Sequence, residues 1–124
     1  MSEEPPIRGQ IWLLALDPTV GSEMRKTRPV VVVSSDAFAH LDVRLVVPLT
    51  SWQARFDHHL NKVSIAATEA NGLRVDSGAD VLQLRAVSFS RVIRLLGMLE
   101  PEALRAICGG IAVAVEHDVR RSPN

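Results

Sequence analysis

Pro29 is followed by four valines, Val30 to Val33, and this run constrains the fold more than any other segment. Side chains alternate along a strand, so β-branched residues at every position put apolar surface on both faces. Such a strand is stable only where both faces are covered. Residues 29–34 are therefore read as a central strand around which the rest of the chain must pack. The sequence has 124 residues and is 47% hydrophobic, enough for one domain with its own core.

The neighbouring segments supply the cover. Residues 10–16 read as a buried strand carrying Trp12 in the core, stopped by the turn chemistry of Asp17-Pro18-Thr19. Ser35 is placed to cap a short helical turn. Residues 43–50 form a third strand, where Pro48 argues for an edge position or a bulge. A polar loop over 51–60 leads to a short strand over 61–66. Asn71-Gly72 and Asp76-Ser77-Gly78 read as turns. Two further strands are expected over 81–87 and 92–98, separated by Ser88 to Arg91.

Pro101 opens a terminal helix whose Leu104, Ile107, Cys108, Ile111 and Val115 share one face. Gly109-Gly110 inside it implies close approach to the sheet or to a partner, since each costs roughly 1 kcal/mol there relative to alanine. The expected fold class is mainly β with a C-terminal helix, a small bent sheet or barrel. Residues 1–8 are expected as a flexible lead-in, 9–117 as the single domain and 118–124 as a frayed tail.

Charge narrows the function. Lys plus Arg number 14 and Asp plus Glu number 14, so long-range capture of nucleic acid is not indicated and any anion site must be local. The single cysteine forms no internal disulfide and fits a reducing compartment. The acidic start, Met1 to Pro6, lacks the order of a signal peptide, and no apolar run approaches the ~18 residues of a membrane span. A soluble, cytoplasmic chain is expected.

One local site stands out. The loop Gly21-Ser22-Glu23-Met24-Arg25-Lys26-Thr27-Arg28 gathers a carboxylate and three cations, and Pro29 fixes the backbone beside Arg28. A planar guanidinium held at a buried strand suits a phosphate or carboxylate. The next strand ends in two hydroxyls, Thr50 and Ser51. Taken alone, Arg28 reads more readily as an ion-paired arginine at a strand start than as a catalytic one, and Thr50 as an ordinary β-favouring residue. Trp52 either stacks on a base or covers an apolar edge. Arg25, Lys26 and Arg55 read as solvent-exposed cations near the site. Adjacent His58 and His59 read as solvated loop residues, and Cys108 as a buried, inert thiol.

These segments together carry a resemblance. Gln10 to Trp12, Leu16 to Glu23 and Thr27 to Ser34 resemble the opening of the MazF/PemK family of toxin endoribonucleases, also called mRNA interferases. Val46 to Ser51 resembles that family's next strand. Asn71-Gly72-Leu73, Asp76-Ser77, Gln83-Leu84-Arg85 and Leu96 to Leu99 match its later half more loosely. The similarity covers roughly residues 8 to 115. It implies an SH3-like barrel, a homodimer, and metal-independent, sequence-selective cleavage of single-stranded RNA to 2′,3′-cyclic phosphate and 5′-hydroxyl ends. It also implies inhibition by an antitoxin with a disordered, acidic C-terminal segment, and no cofactor. The family's catalytic arginine falls on Arg28, its threonine on Thr50 and its loop glutamate on Glu23. Arg25, Lys26, Ser51, Trp52, Arg55 and Gln83 are the expected RNA contacts. Leu82 departs from the acidic residue many relatives carry before the glutamine.

The chemistry is consistent with those residue types. Attack by the RNA's own 2′-hydroxyl requires removal of its proton, stabilisation of phosphorane charge and protonation of the leaving 5′ oxygen. Arg28 suits the clamp and proton donor, and Thr50 a hydrogen bond to a non-bridging oxygen. Glu23 either accepts the 2′ proton or orients Arg28. Two other readings compete. One is a gyrase poison of the CcdB type, which shares the barrel but lacks the Arg28–Thr50 pair. The other is a non-catalytic binding module of the same fold.

Overall fold

A computed structural model of the chain describes residues 4–15 and 27–117. Seven strands are formed: β1 (Gln10–Ala15), β2 (Thr27–Val32), β3 (Val43–Ser51), β4 (Lys62–Ile65), β5 (Ser77–Asp80), β6 (Arg85–Ser88) and β7 (Val92–Met98). One α-helix, α1 (Pro101–Ala114), closes the described chain. The strands run antiparallel in the order β4-β5-β3-β2-β1-β7, and β6 also pairs with β3.

The valine run lies at the centre, as its composition demands. Val31 and Val33 enter one core cluster, with Ile11, Val47, Leu49, Ile65, Ala79 and Ile107. Val30 and Val32 enter the cluster on the other face, with Trp12, Leu14, Val46 and Val87. Burying a Val side chain contributes roughly 1.5–3 kcal/mol, so polar substitution anywhere in this run would damage one core or the other. Trp12 is buried as expected, and its Nε1 donates to Gln10 Oε1 at 2.9 Å.

Pro48 is not on an edge strand. β3 pairs with β2 along one side, while on the other it pairs with β6 up to Val46 and with β5 from Leu49. Val33 N–H bonds the Leu45 carbonyl, so odd positions of β3 turn their backbone groups towards β2. Position 48 therefore faces the gap between β6 and β5, where no donor is needed.

Two other expectations are corrected. Ser77 and Gly78 do not turn but open β5, a short strand of small residues that gives little apolar periodicity to read. Residues 81–87 are not one strand: Val81–Gln83 form a 3-10 turn, and only Arg85–Ser88 pair. Asp80 causes the break, because its Oδ1 accepts from Leu82 N at 3.1 Å and caps the turn. Ser35 caps Asp36–Phe38 as anticipated, by accepting from Ala37 N.

The described part of the lead-in is packed. Pro6 is buried, and its carbonyl accepts from Arg44 Nε at 2.9 Å. Arg8 donates to the Val33 carbonyl and, at 3.5 Å, to Cys108 Sγ, so that thiol is half-buried against a cation. In α1, Pro101 takes the first turn, Ile107 is fully buried, and Leu104 and Ile111 pack on the first cluster. Val115 lies past the helix end and is exposed. Gly110 explains half of the glycine pair: a Cβ there would sit 3.1 Å from Val81 Cγ1, whereas Gly109 faces open space.

The Asn71-Gly72 turn is real. Gly72 has φ +73°, and an added Cβ would fall 2.1 Å from the Leu96 carbonyl oxygen. This lock fixes the path of residues 73–75 beside β7.

Candidate active site

Two strands bring the expected pair together. Val30 of β2 lies opposite Pro48 of β3. Arg28 lies two residues before Val30 and Thr50 two residues after Pro48, so both leave the same end of this pairing. Both are half-buried, and both line two adjoining grooves.

The first groove, of about 390 Å³, is walled by Arg28, Thr50, Arg55, Lys62, Gln83 and Arg85 over a floor that includes Phe56 and Leu49. Asp80 is the one carboxylate lining it among the described residues, and it is engaged: Lys62 Nζ lies 3.5 Å from Oδ2, and Asn61 Nδ2 donates to Oδ1 at 2.9 Å. The same carboxylate caps the turn that presents Gln83. Lys62 Nζ also sits 4.5 Å above the Phe56 ring, and the Arg55 guanidinium lies 5.5 Å from it. A buried aromatic thus seats two cations at the groove wall.

The second groove, of about 670 Å³, shares Arg28 and Thr50 with the first and is also lined by Thr27, Ser51, Ser77, Arg74 and Arg94. Among the described residues no carboxylate lines it. Around the Arg28–Thr50 pair the described residues of the two grooves therefore carry a marked excess of positive charge on a chain of zero net charge. Fixed cations in a concave, partly desolvated wall select a polyanion far better than scattered surface charge does.

Of the other expected contacts, Arg55 and Gln83 line the first groove and Ser51 the second. Trp52 lines neither. Its ring meets Phe56 edge-on, with centroids 5.3 Å apart, and packs over Gly78, so it covers an apolar edge. Leu82 is 64% exposed beside Gln83. Glu23, Arg25 and Lys26 lie outside the described residues. His58 and His59 are exposed, and among the described residues no three His, Cys, Asp or Glu side chains gather to hold a metal ion.

Lys62, Arg85, Arg74 and Arg94 were not anticipated as part of the site. Each is an isolated charge in its own segment, and only strand register and the Gly72 turn bring them together. No described helix is long and apolar enough to cross a membrane.

Comparison with known proteins gives a consistent picture. Residues 7–115 match the model of a family described as PemK-like, MazF-like toxin of type II toxin-antitoxin system. Endoribonuclease MazF9 of Mycobacterium tuberculosis is 38% identical over 103 residues, which span 78% of this chain and 85% of that protein. A crystal structure of MazF from Deinococcus radiodurans superposes with a TM-score of 0.74 at 20% identity, covering 92% of this chain and 99% of that one. A MazE-MazF crystal structure from the same organism gives 0.75 at 19% identity, covering 93% and 99%.

Proposed function

Because the chain belongs to the PemK-like, MazF-like family of type II toxins, we propose that the Arg28–Thr50 grooves bind and cut single-stranded RNA. The protein is an endoribonuclease toxin of a toxin–antitoxin system. The observation that supports the site assignment is that Arg28 and Thr50, both half-buried, line the same two grooves at the end of the β2–β3 pairing.

The chemistry follows from the groups present. Arg28 grips two phosphate oxygens and stabilises the charge that builds on the phosphorane. Thr50 donates to a non-bridging oxygen. The 2′-hydroxyl of the RNA is the nucleophile, so neither a metal-bound water nor a cofactor is needed; as the P–O5′ bond breaks Arg28 gives a proton to the leaving 5′ oxygen, and the products carry 2′,3′-cyclic phosphate and 5′-hydroxyl ends. Glu23 takes the 2′ proton or orients Arg28. Arg55, Gln83 and Ser51 hold the strand, and Trp52 braces the Phe56 floor beneath Arg55 and Lys62. Arg25 and Lys26 add charge in the loop before Arg28.

An antitoxin with an acidic, disordered segment would compete for the same cations, ordering on them as it binds. The MazE-MazF relative supports an antitoxin partner. A homodimer is the proposed assembly: β7 ends the strand order and exposes Ile93, Leu95 and Met98, an apolar edge of the kind a second copy covers. The working compartment is the cytoplasm.

Incubation with a long transcript in EDTA, followed by mapping of 5′-hydroxyl ends, tests the reading. Discrete cuts with cyclic phosphate on the upstream fragment are expected. Intact RNA, or cutting that requires added magnesium or zinc, defeats it.

A further inference from the structure

The second groove differs from the first in what lines it. Its floor is apolar, with Leu49 and Leu73 buried and Leu13 and Leu96 half-buried. Its rim carries the exposed guanidiniums of Arg74 and Arg94. Arg94 lies opposite Leu13 across the β1–β7 ladder, and both line the groove, while Leu95 lies opposite Trp12, whose side chain enters the core on the other face. Arg74 follows the Gly72 lock against Leu96, which fixes the backbone that carries it. Among the described residues neither arginine makes an ion pair, and the nearest acid in sequence, Asp76, is committed to Ala67 N at 2.9 Å.

An apolar floor under a cationic rim fits a nucleotide, whose base is flat and poorly hydrated and whose phosphate is anionic. We propose that this groove is the track for nucleotides flanking the cleaved bond, with Arg74 and Arg94 as substrate-positioning residues that hold flanking phosphates. The assignment rests on the RNA reading above and extends it to one side of the cut. Arg28 and Thr50 line this groove too, so a strand whose cleaved phosphate is clamped there has this wall beside it. Among the described residues this wall offers donors and no competing carboxylate. Arginine's fork suits phosphate oxygens, and Arg94 stands two strands away from Pro29, across Leu13, roughly 10 Å at ordinary strand spacing.

The test uses two probes. One is a fluorescent oligonucleotide containing the mapped cleavage sequence with 2′-deoxy at the cleaved nucleotide. The other is the same probe truncated to the nucleotides next to that bond. Binding is measured by anisotropy across a salt series. Arg94→Ala and Arg74→Ala should each weaken binding of the long probe about tenfold, the size of one lost charge-assisted contact. Each should also lower the slope of log affinity against log salt by about 0.7. Binding of the short probe should match wild type. With the cleavable long substrate KM should rise while kcat stays unchanged, and lysine at either position should restore the salt slope. Equal losses on both probes, a fall in kcat, or unchanged binding of the long probe each overturns the proposal, the last leaving the groove to a protein ligand. These binding measurements need no cleavage. Wild-type protein that binds the probe but never cuts the ribose form would fail the nuclease reading alone.

Discussion

Arg28 and Arg44 sit on adjacent strands of one sheet and do opposite things. Arg44 is 3% exposed and spends its guanidinium on the protein. It donates to the carbonyls of Pro6, Leu41, Val43 and Ala39, and its Cζ lies 4.9 Å from the centre of the Phe89 ring. Arg28 is half-buried at the groove, and among the described residues no protein group engages its guanidinium. A buried charge is tolerated only when its donors are filled, and Arg44 fills them with backbone oxygens that would otherwise lack partners. A charge left unfilled beside a groove keeps its donors for a ligand. The difference separates a cation that ties a loop and the chain start to β3 from one that is available to substrate.

Exchanging the two readouts would break this contrast. The largest effect is expected from Arg28→Ala. Cleavage should fall by about 10²–10³, the usual cost of one transition-state donor. The melting temperature should hardly move, because no described protein contact is lost. Thr50→Ala should cost less on the same assay. Near-normal turnover of Arg28→Ala would mean that the guanidinium is structural after all.

Arg44→Ala should do the reverse. It strands several carbonyls around a void, at about 1–3 kcal/mol for each buried acceptor that finds no water. Urea denaturation should show a large drop in the midpoint, while the fraction that stays folded cleaves at the wild-type rate. A stable Arg44→Ala protein with impaired kcat would join the two arginines into one function and remove the distinction.

The sequence showed one of these arginines plainly and hid the other. Arg28 was legible because Pro29 and the valine run fixed its strand, and because the MazF/PemK resemblance is dense there. Arg44 lies in Val43-Arg44-Leu45-Val46, where a charge between apolar residues reads as the solvent face of an alternating strand. Its partners come from positions 6, 39 and 41, a closure that no local pattern signals. The central strand, the terminal helix and its first-turn proline were visible because periodicity and capping are local. β5 was not, since Ser77-Gly78-Ala79 resembles a turn until β3 and β4 pair on both of its sides. The cationic grooves were hidden for the same reason: their arginines and lysine converge only through register.

The smallest effect concerns an anion that, like Arg44, is held for structure. Glu100 precedes α1, and its carboxylate accepts from Thr68 Oγ1 at 2.7 Å and Asn71 Nδ2 at 3.3 Å. The Thr68 bond is the main cause of a pKa below the ordinary 4.5, with the Asn71 bond adding to it and desolvation opposing. A carboxylate whose folded pKa is depressed binds its proton more tightly in the unfolded chain. Its stabilisation is therefore complete above about pH 4.5 and is lost as pH falls through the lower folded value. Glu100→Gln should flatten that part of the acid limb of a stability–pH curve, and at neutral pH it should lower stability slightly and leave cleavage unchanged. Asn71 is fully buried, and its Oδ1 is already committed to the backbone N–H groups of Thr68 and Leu73, so the turn should survive the change. An acid limb identical to wild type would show that Glu100 is not held as a carboxylate by Thr68. A fall in cleavage at neutral pH would instead tie this junction to the site, and the separation between charges that build the fold and charges that meet the substrate would no longer hold.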